Sequence, residues 1–286
     1  MSHPQAPYTG RFAPSPTGPL HAGSLVAALA SFLDARAAGG QWLLRIDDID
    51  PPRAMPGATQ RILSTLAAHH LHFDGSLQLQ SNHYPAYANA LDQLAASGLV
   101  FRCRCTRATL GPNSTCIASC AAEEVPATLP TSLRIKVPEH TTLEFDDLIK
   151  GPQRLALGEH TPNFILRRRD GLYAYQLACA VDDGDPSITH VIRGSDLLDS
   201  TFRQLYIQRC LGLEHPRYGH LPVLTDSDGN KLSKQTGAAA LDDNTPYRNL
   251  QSALATLGQP PIDADGDVDA LLTLATEHWS RTAIPK

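Results

Sequence analysis

The sequence predicts an α/β fold built around a Rossmann-type parallel sheet, and three observations support this prediction. Short apolar segments alternate with Ala-rich segments of helical periodicity, and a strand, a loop, a helix and a second strand open the chain in that order. Such a βαβ unit has parallel strands and binds its ligands beyond their carboxyl ends. With 286 residues, 42% of them hydrophobic, the chain can also bury a substantial core.

The predicted elements follow from the apolar periodicity and from the residues that interrupt it. Gly39 and Gly40 end the first helix, because glycine adopts the left-handed conformation that commonly follows a helix. In chain order we predict a strand over 11–13, a helix over 21–38, a strand over 42–46, helices over 58–70 and 84–97, strands over 133–137, 164–169 and 188–194, and a helix over 195–211.

A stretch rich in cysteine and proline breaks this rhythm after Val100. We therefore expect a catalytic domain of residues 1–236 that carries an inserted subdomain over about 100–170. Residues 237–286 are expected to form a short helical tail, with no further large domain behind it.

Charge and composition limit the classes of partner. The net charge is −5, so binding to a nucleic acid would depend on local basic patches and not on the charge of the whole molecule. The opening residues lack the pattern of a secretory signal, and no apolar run approaches the ~18 residues that span a bilayer. We expect a cytoplasmic protein without a membrane partner. Candidate basic patches, which fit a solvated surface equally well, are Arg102, Arg104, Arg107 and Arg167, Arg168, Arg169.

The segment PSPTGPLHAGS, from Pro14 to Ser24, connects the first strand to the first helix. Free backbone N–H groups and the positive end of a helix dipole suit a phosphate at such a place, and His21 can donate a further hydrogen bond. A second segment, GNKLSKQ, holds Lys231 and Lys234 three residues apart in a polar loop. Lysines in a loop can neutralise a leaving pyrophosphate. Taken alone, the first segment also fits an ordinary strand-to-helix turn and the second a solvated loop.

Four of the six cysteines lie close together in the predicted insertion, as C-x-C-x10-C-x3-C. Four soft ligands in a short irregular segment favour one structural zinc ion in a closed tetrahedral site. The alternative is four unpaired thiols. The predicted ligands are Cys103, Cys105, Cys116 and Cys120, whereas Cys179 and Cys210 are predicted to be buried packing residues.

Four ordered segments together resemble one family. PLHAGS followed by KLSK is similar to the two signature motifs of class I aminoacyl-tRNA synthetases. RFAPSPTGPLHAGSL, GGQWLLRIDDIDPPR, VIRGSDLLDSTFRQ and GNKLSKQ resemble the glutamyl-tRNA synthetase group over residues 11–235. The family resemblance implies activation of L-glutamate with ATP and Mg²⁺, followed by transfer to an RNA. Related enzymes usually have tyrosine where Cys116 stands, so the resemblance supports that ligand least.

The resemblance also implies roles for individual residues. The family has glutamate where this chain has Asp47, which keeps the charge but shortens the reach toward a substrate ammonium group. Arg193 is expected to pair with a substrate carboxylate. The implied glutamate-binding residues are Arg11, Ala13, Ser15, Asp47, Tyr175 and Arg193; the ATP-binding residues are Pro14, Gly18, His21, Gly23, Ser24 and Lys234; the catalytic residues are His21, Lys231 and Lys234.

The short C-terminal part departs from full-length members of this family, which continue into a large anticodon-binding region. The chain thereby resembles truncated members that attach glutamate to queuosine in the anticodon of tRNA(Asp), and we expect that RNA as the partner of a monomeric enzyme. One alternative is a minimal synthetase that charges the 3′ end of tRNA(Glu). Another is a zinc-containing RNA-binding paralogue without activity, against which the intact PLHAGS and KLSK motifs argue.

Overall fold

A five-stranded parallel sheet forms the centre of the fold. The computed structural model describes residues 7–222, except 124 and 127, and residues 240–286. All strand pairs of the central sheet are parallel, as the βαβ reading predicts. In spatial order its strands are β10 (Arg217–Leu221), β9 (His190–Gly194), β1 (Thr9–Phe12), β2 (Gln41–Ile46) and β3 (Gln78–Leu79).

The first βαβ unit is confirmed. Helix α1 (Ala22–Ala37) connects β1 to β2, and Gly10 is in register with Trp42 in the parallel pair. Helix-favouring Ala and Leu fill α1, and most of its length is buried in the core. Gly39 follows the helix with a φ of +64°, which is the left-handed conformation that ends it.

The remaining helices pack on both faces of the sheet, and the last two of them form the C-terminal part of the described chain. The 195–211 prediction is confirmed in α6, except that its first turn, Ser195–Leu197, is a 3₁₀ helix. The two C-terminal helices pack against α1 in one hydrophobic core, so the tail contributes to the stability of the sheet. The helices are α2 (Ala58–Ala68), α3 (Tyr84–Ala96), α4 (Leu157–His160), α5 (Tyr175–Asp183), α6 (Leu198–Leu211), α7 (Pro246–Thr256) and α8 (Val268–Glu277).

The segment predicted as an insertion has antiparallel structure of its own. Strands β4 (Val100–Cys103), β5 (Ser132–Lys136) and β8 (Asn163–Arg167) form a three-stranded sheet. A hairpin of β6 (Thr142–Asp147) and β7 (Gly151–Ala156) lies against β10, where Leu148 N donates to Tyr218 O at 2.8 Å. Strands β3, β4, β6, β7 and β10 are not among the predicted elements. The bounds of the catalytic domain and of the insertion stay predictions.

The chain builds the sheet outward from β1 in both directions, so β1 lies at a topological switch point. The chain passes from β1 to β2 on one side, and later places β9 on the other side of β1. Ligands of open α/β sheets bind at such a switch point, beyond the carboxyl ends of the two strands. Within the described ranges, none of the helices has the length and apolar character needed to cross a membrane.

Candidate active site

A cavity of about 350 Å³ opens at the switch point, and we call it the switch-point cavity. The ends of β1 and β9, the start of α1 and the start of α5 surround it. It therefore brings together nine of the residues that the sequence predicts for the site. These are Arg11, Ala13, Pro14, Ser15, His21, Gly23, Ser24, Tyr175 and Arg193.

The start of α1 forms one wall of this cavity and is suited to an anion. His21 is the N-cap residue, and its Nδ1 accepts a hydrogen bond from Ser24 N at 3.3 Å. In the neutral ring the proton then lies on Nε2, which makes that atom a donor. The first turn carries no acidic residue that would offset the positive end of the helix dipole. Gly18 has a φ of +145°, a value that favours glycine, but it does not line the cavity.

Arg193 forms the opposite wall, at the end of β9. Its guanidinium is nearly fully buried, and its Nη2 donates to Thr201 Oγ1 and to Gln204 Oε1, both at 2.7 Å. The guanidinium also lies 5.1 Å from the Tyr218 ring centroid. Nη1 is buried and has no partner in the part of the chain that the structure describes. A buried donor without a partner is costly, so an anionic ligand that reached Nη1 would be bound favourably.

Arg11 is placed differently from Arg193. Two of its nitrogens, Nε and Nη2, donate to the two carboxylate oxygens of Asp183 at 3.0 and 2.7 Å. Asp183 also accepts from Arg45 Nη1 at 2.7 Å, and its side chain is fully buried. Although burial opposes ionisation, the two guanidiniums hold the pKa of this carboxyl well below its usual range. Two of the three guanidinium nitrogens of Arg11 are therefore engaged in a buried structural ion pair.

Asp47 does not line the switch-point cavity; it lines a second cavity that shares Ser15 and Tyr175 with it. It lies at the end of β2, buried, and its Oδ1 accepts from Arg45 Nε at 2.7 Å. Burial raises the pKa of this carboxyl, against the attraction of Arg45. The predicted contact with a substrate ammonium group would have to share the carboxylate with Arg45, and it stays a prediction. Alternation along a strand places residues 45 and 47 on one face, which is the signal that could have revealed this pair.

A second cavity, of about 360 Å³, shares Ser15 and Tyr175 with the first; we call it the insertion-side cavity. Asn113 and Ser114 of the insertion form part of its wall. Three of its lining side chains have a buried polar atom without a partner among the described residues. These atoms are Gln80 Oε1, Gln176 Oε1 and Arg203 Nε. Two acceptors and a donor in one cavity suit a ligand with hydroxyl or amide groups.

The four predicted zinc ligands come together. The four Sγ atoms all lie within 4.8 Å of one another, and Cys105 Sγ is 3.6 Å from Cys116 Sγ. Zinc–sulfur bonds of ~2.3 Å in a tetrahedron place sulfurs about 3.8 Å apart, so the cluster could hold one such ion. Burial, followed by the neighbouring thiols, raises the pKa of the Cys116 thiol, so thiolates here need a cation. The Asn163 amide makes two hydrogen bonds to the backbone of Cys116: Oδ1 accepts from Cys116 N, and Nδ2 donates to Cys116 O.

The candidate basic patches lie beside this cluster. Arg169 donates to the carbonyl oxygens of Arg104 and Cys105, so it supports the cysteine loop. Arg168 lines the insertion-side cavity and pairs with Asp50 and Asp170. Their role in RNA binding stays a prediction.

The structure leaves some predicted residues without a test and corrects one assignment. Lys231 and Lys234 lie outside the described residues. Cys179 is fully buried as predicted, but Cys210 is only half-buried. The sequence reasoning missed four residues around Arg193: Asp147, Thr201, Gln204 and His220. Asp147 and His220 come from elements distant in the chain, whereas Thr201 and Gln204 lie on α6, which follows β9 directly.

Known proteins resemble this chain over nearly its whole length. It is 48% identical to a Glutamyl-Q tRNA(Asp) synthetase of Burkholderia cenocepacia (strain HI2424), with 98% of each chain covered. It is also 48% identical to a Glutamyl-Q tRNA(Asp) synthetase of Xanthomonas axonopodis pv. citri (strain 306), with 99% of this chain and 94% of the relative covered.

Solved structures share the fold at lower identity. A glutamate tRNA ligase from Elizabethkingia meningosepticum, in complex with its amino acid, superposes with a TM-score of 0.80 at 24% identity. The match covers 97% of this chain and 65% of that ligase, so the chain spans less than two thirds of its length. The family model for the catalytic domain of class I tRNA synthetases (E and Q) matches residues 8–257. The chain therefore belongs to the class I tRNA synthetase family for E and Q, among its members named Glutamyl-Q tRNA(Asp) synthetases.

Proposed function

We propose that this protein activates L-glutamate with ATP and transfers the glutamyl group to queuosine in the anticodon of tRNA(Asp). The observation that carries the proposal is the switch-point cavity, which brings the N-terminus of α1 together with Arg193, whose buried Nη1 has no partner among the described residues. One wall suits the phosphates of a nucleotide and the other suits a carboxylate. The near full-length relatives that are named for this activity support the choice of RNA.

The two chemical steps can be assigned to the two cavities. In the first step an oxygen of the substrate α-carboxylate attacks the α-phosphorus, the bond to the β-phosphate oxygen breaks, and pyrophosphate leaves. In this reaction the enzyme positions the two substrates and neutralises the charge that develops on the phosphates, so it needs no side-chain nucleophile. His21 and the backbone at Gly23 and Ser24 would hold phosphates. We expect Mg²⁺ to accompany ATP, and Lys234 to stabilise the transition state.

The insertion-side cavity would hold the nucleotide that accepts glutamate. An RNA hydroxyl there would attack the activated carbonyl, lose its proton, and displace AMP. The cavity borders the first one at Ser15 and Tyr175, so the hydroxyl and the carbonyl could meet at these residues. The unpaired atoms of Gln176 and Arg203 could hydrogen-bond the hydroxylated ring of queuosine.

The test of the function uses two pools of tRNA, one with queuosine and one from cells that cannot make it. With ATP, Mg²⁺ and radiolabelled glutamate, we expect label only on the tRNA(Asp) of the pool that contains queuosine. Equal labelling of tRNA(Glu) in both pools would show a minimal synthetase that charges the 3′ end. The absence of label in both pools would leave an RNA-binding paralogue, and the proposal would be wrong.

We further propose that the four clustered cysteines hold one structural zinc ion. The purified protein is expected to contain about one zinc per chain, and Cys116→Ser is expected to lose most of it and to lower Tm, because a structural zinc site contributes directly to folding. Cys210→Ser is the matched control, since this cysteine is remote from the cluster along the chain and half-buried. Elemental analysis and thermal unfolding provide the measurements. A Cys116→Ser variant with an unchanged zinc content would remove this residue from the ligand set.

A further inference from the structure

A buried acid–histidine pair contacts Arg193 and does not line the cavity. His220 of β10 is in register with Arg193 of the neighbouring β9. His220 Nδ1 lies 2.5 Å from Asp147 Oδ2, and both side chains are fully shielded from solvent. Neither residue lines the switch-point cavity, so any influence on a ligand must act through Arg193.

The contacts of Arg193 require the His220 ring to be a hydrogen-bond acceptor. Arg193 Nε donates to His220 Nε2 at 3.3 Å, and Thr201 Oγ1 lies 2.8 Å from the same ring nitrogen. A guanidinium is only a donor, so Nε2 must carry a lone pair and the ring proton must lie on Nδ1. Burial lowers the pKa of His220, which favours this neutral ring.

Asp147 fixes that tautomer. Its Oδ1 accepts from three backbone N–H groups, those of Ile149, Lys150 and His220, at 3.0, 2.8 and 3.1 Å. These three donors fix the orientation of the carboxyl group and direct Oδ2 toward Nδ1 of the ring. The turn of the β6–β7 hairpin thus determines which nitrogen of His220 faces Arg193.

We propose that Asp147 and His220 are positioning residues that determine the specificity for an anionic amino acid. His220, held by Asp147, accepts from Nε, and Thr201 and Gln204 accept from Nη2, so Nη1 is the guanidinium nitrogen that has no partner among the described residues. The inference rests on the proposed activation of glutamate. It adds that a network outside the cavity keeps the carboxylate-binding arginine in place.

Asp147→Asn tests the tautomer directly with a nearly unchanged shape. The three backbone donors would retain the amide oxygen, so the amide NH₂ would face Nδ1 and move the ring proton to Nε2. A donor would then confront Arg193. We expect the KM for glutamate to rise about 10–100-fold, with the KM for ATP changed less than about twofold. Assays contain ATP, Mg²⁺ and queuosine-bearing tRNA. Asp146→Asn, in the exposed neighbouring residue, is the control for the loss of charge.

A second pair of variants guards against misfolding of the first. Thr201→Val removes the hydroxyl that accepts from Arg193 Nη2 and keeps the shape, whereas Thr201→Ser keeps the hydroxyl. Thr201→Val is expected to raise the KM for glutamate about 10-fold, and Thr201→Ser less than about threefold. The preference for glutamate over glutamine should fall with Thr201→Val, because the neutral amide depends less on a charged partner.

The outcomes separate the inference from the proposed function. If the wild-type protein transfers no glutamate, the proposed function fails. If the wild type is active but Asp147→Asn and Thr201→Val keep its glutamate KM and its preference over glutamine, the positioning role is wrong. Equal losses for glutamate and ATP, or a loss explained by a lower Tm alone, would show a structural role and would also overturn it.

Discussion

Replacing Arg193 with methionine is expected to lower kcat/KM for glutamate by about 10³-fold, roughly 4 kcal/mol of transition-state stabilisation. Arg193 lines the switch-point cavity and has a buried nitrogen without a partner among the described residues, and methionine retains most of the length of the side chain without charge. Arg193→Lys should recover only part of the loss, because an ammonium group cannot bind both the substrate and the Thr201–Gln204 pair as the planar guanidinium does.

The measurement is the dependence of the initial rate of glutamyl transfer on glutamate and on ATP. Arg209→Met, which removes an exposed arginine from the same region of the chain, controls for the loss of a positive charge. The effect should be confined to glutamate, with an almost unchanged KM for ATP. If Arg193→Met transfers glutamate at the rate of the wild type, the carboxylate is bound elsewhere, and Arg11 becomes the next candidate.

The central fold could be predicted because local signals determine it. The apolar segment 42–46, the helix-forming residues of α1 and Gly39 each specify their element within a few residues. The order strand, helix, strand then fixes parallel pairing and the edge at which ligands bind. For this reason Ala13, Ser15 and His21 lie together in the cavity, as the sequence analysis expected.

Two of the strands that escaped prediction, β6 and β10, carry polar residues in buried positions. The β10 sequence RYGHL contains glycine and histidine, yet four of its five residues are buried. The buried His220 ring is tolerated there because it makes a hydrogen bond to Asp147, on a hairpin 73 residues earlier, and this bond compensates for the lost contact with water. A sequence pattern shows the polarity of each residue but not the distant residue that pairs with it, so it does not predict strands with buried polar side chains.

The same limit applies to the site. Arg11 lines the switch-point cavity, and its predicted contact with substrate stays a prediction. The sequence does not show that Asp183, 172 residues later in the chain, accepts hydrogen bonds from two of its nitrogens. The adjacent acids Asp182 and Asp183 end an apolar helical segment, QLACAVDD, and this was the available signal that they are buried. Which arginines they would meet depended on packing α5 beside β1 and β2, which only the three-dimensional structure provides.

Asp183→Asn is expected to lower the free energy of unfolding at pH 7 by about 3–5 kcal/mol, and Tm by on the order of 10 °C. The carboxylate is fully buried and neutralises both Arg11 and Arg45, with which it makes hydrogen bonds of 2.7–3.0 Å. An asparagine leaves the buried Arg11 without its carboxylate and removes one carboxylate from Arg45, which keeps its contact with Asp47. Removal of one member of a buried ion pair costs more than the pair itself contributes, because the remaining charge is left without compensation.

The pH dependence follows from the direction of the pKa shift. Because Arg11 and Arg45 outweigh burial and depress the pKa of Asp183 in the folded state, the carboxylate contributes its full stabilisation above the unfolded pKa of about 4. That contribution is lost as the pH falls from this value toward the folded pKa. The difference between wild type and Asp183→Asn should thus be constant from pH 7 to about 5 and shrink below about 4.

Urea unfolding at a series of pH values measures this difference, with Asp92→Asn, an exposed residue of α3, as the matched control. The control should change stability by less than about 0.5 kcal/mol at every pH. A variant Asp183→Asn as stable as the wild type at pH 7 would mean that Arg11 does not need this carboxylate. Its guanidinium would then be available to the cavity, and the assignment of the substrate carboxylate to Arg193 alone would have to be revised.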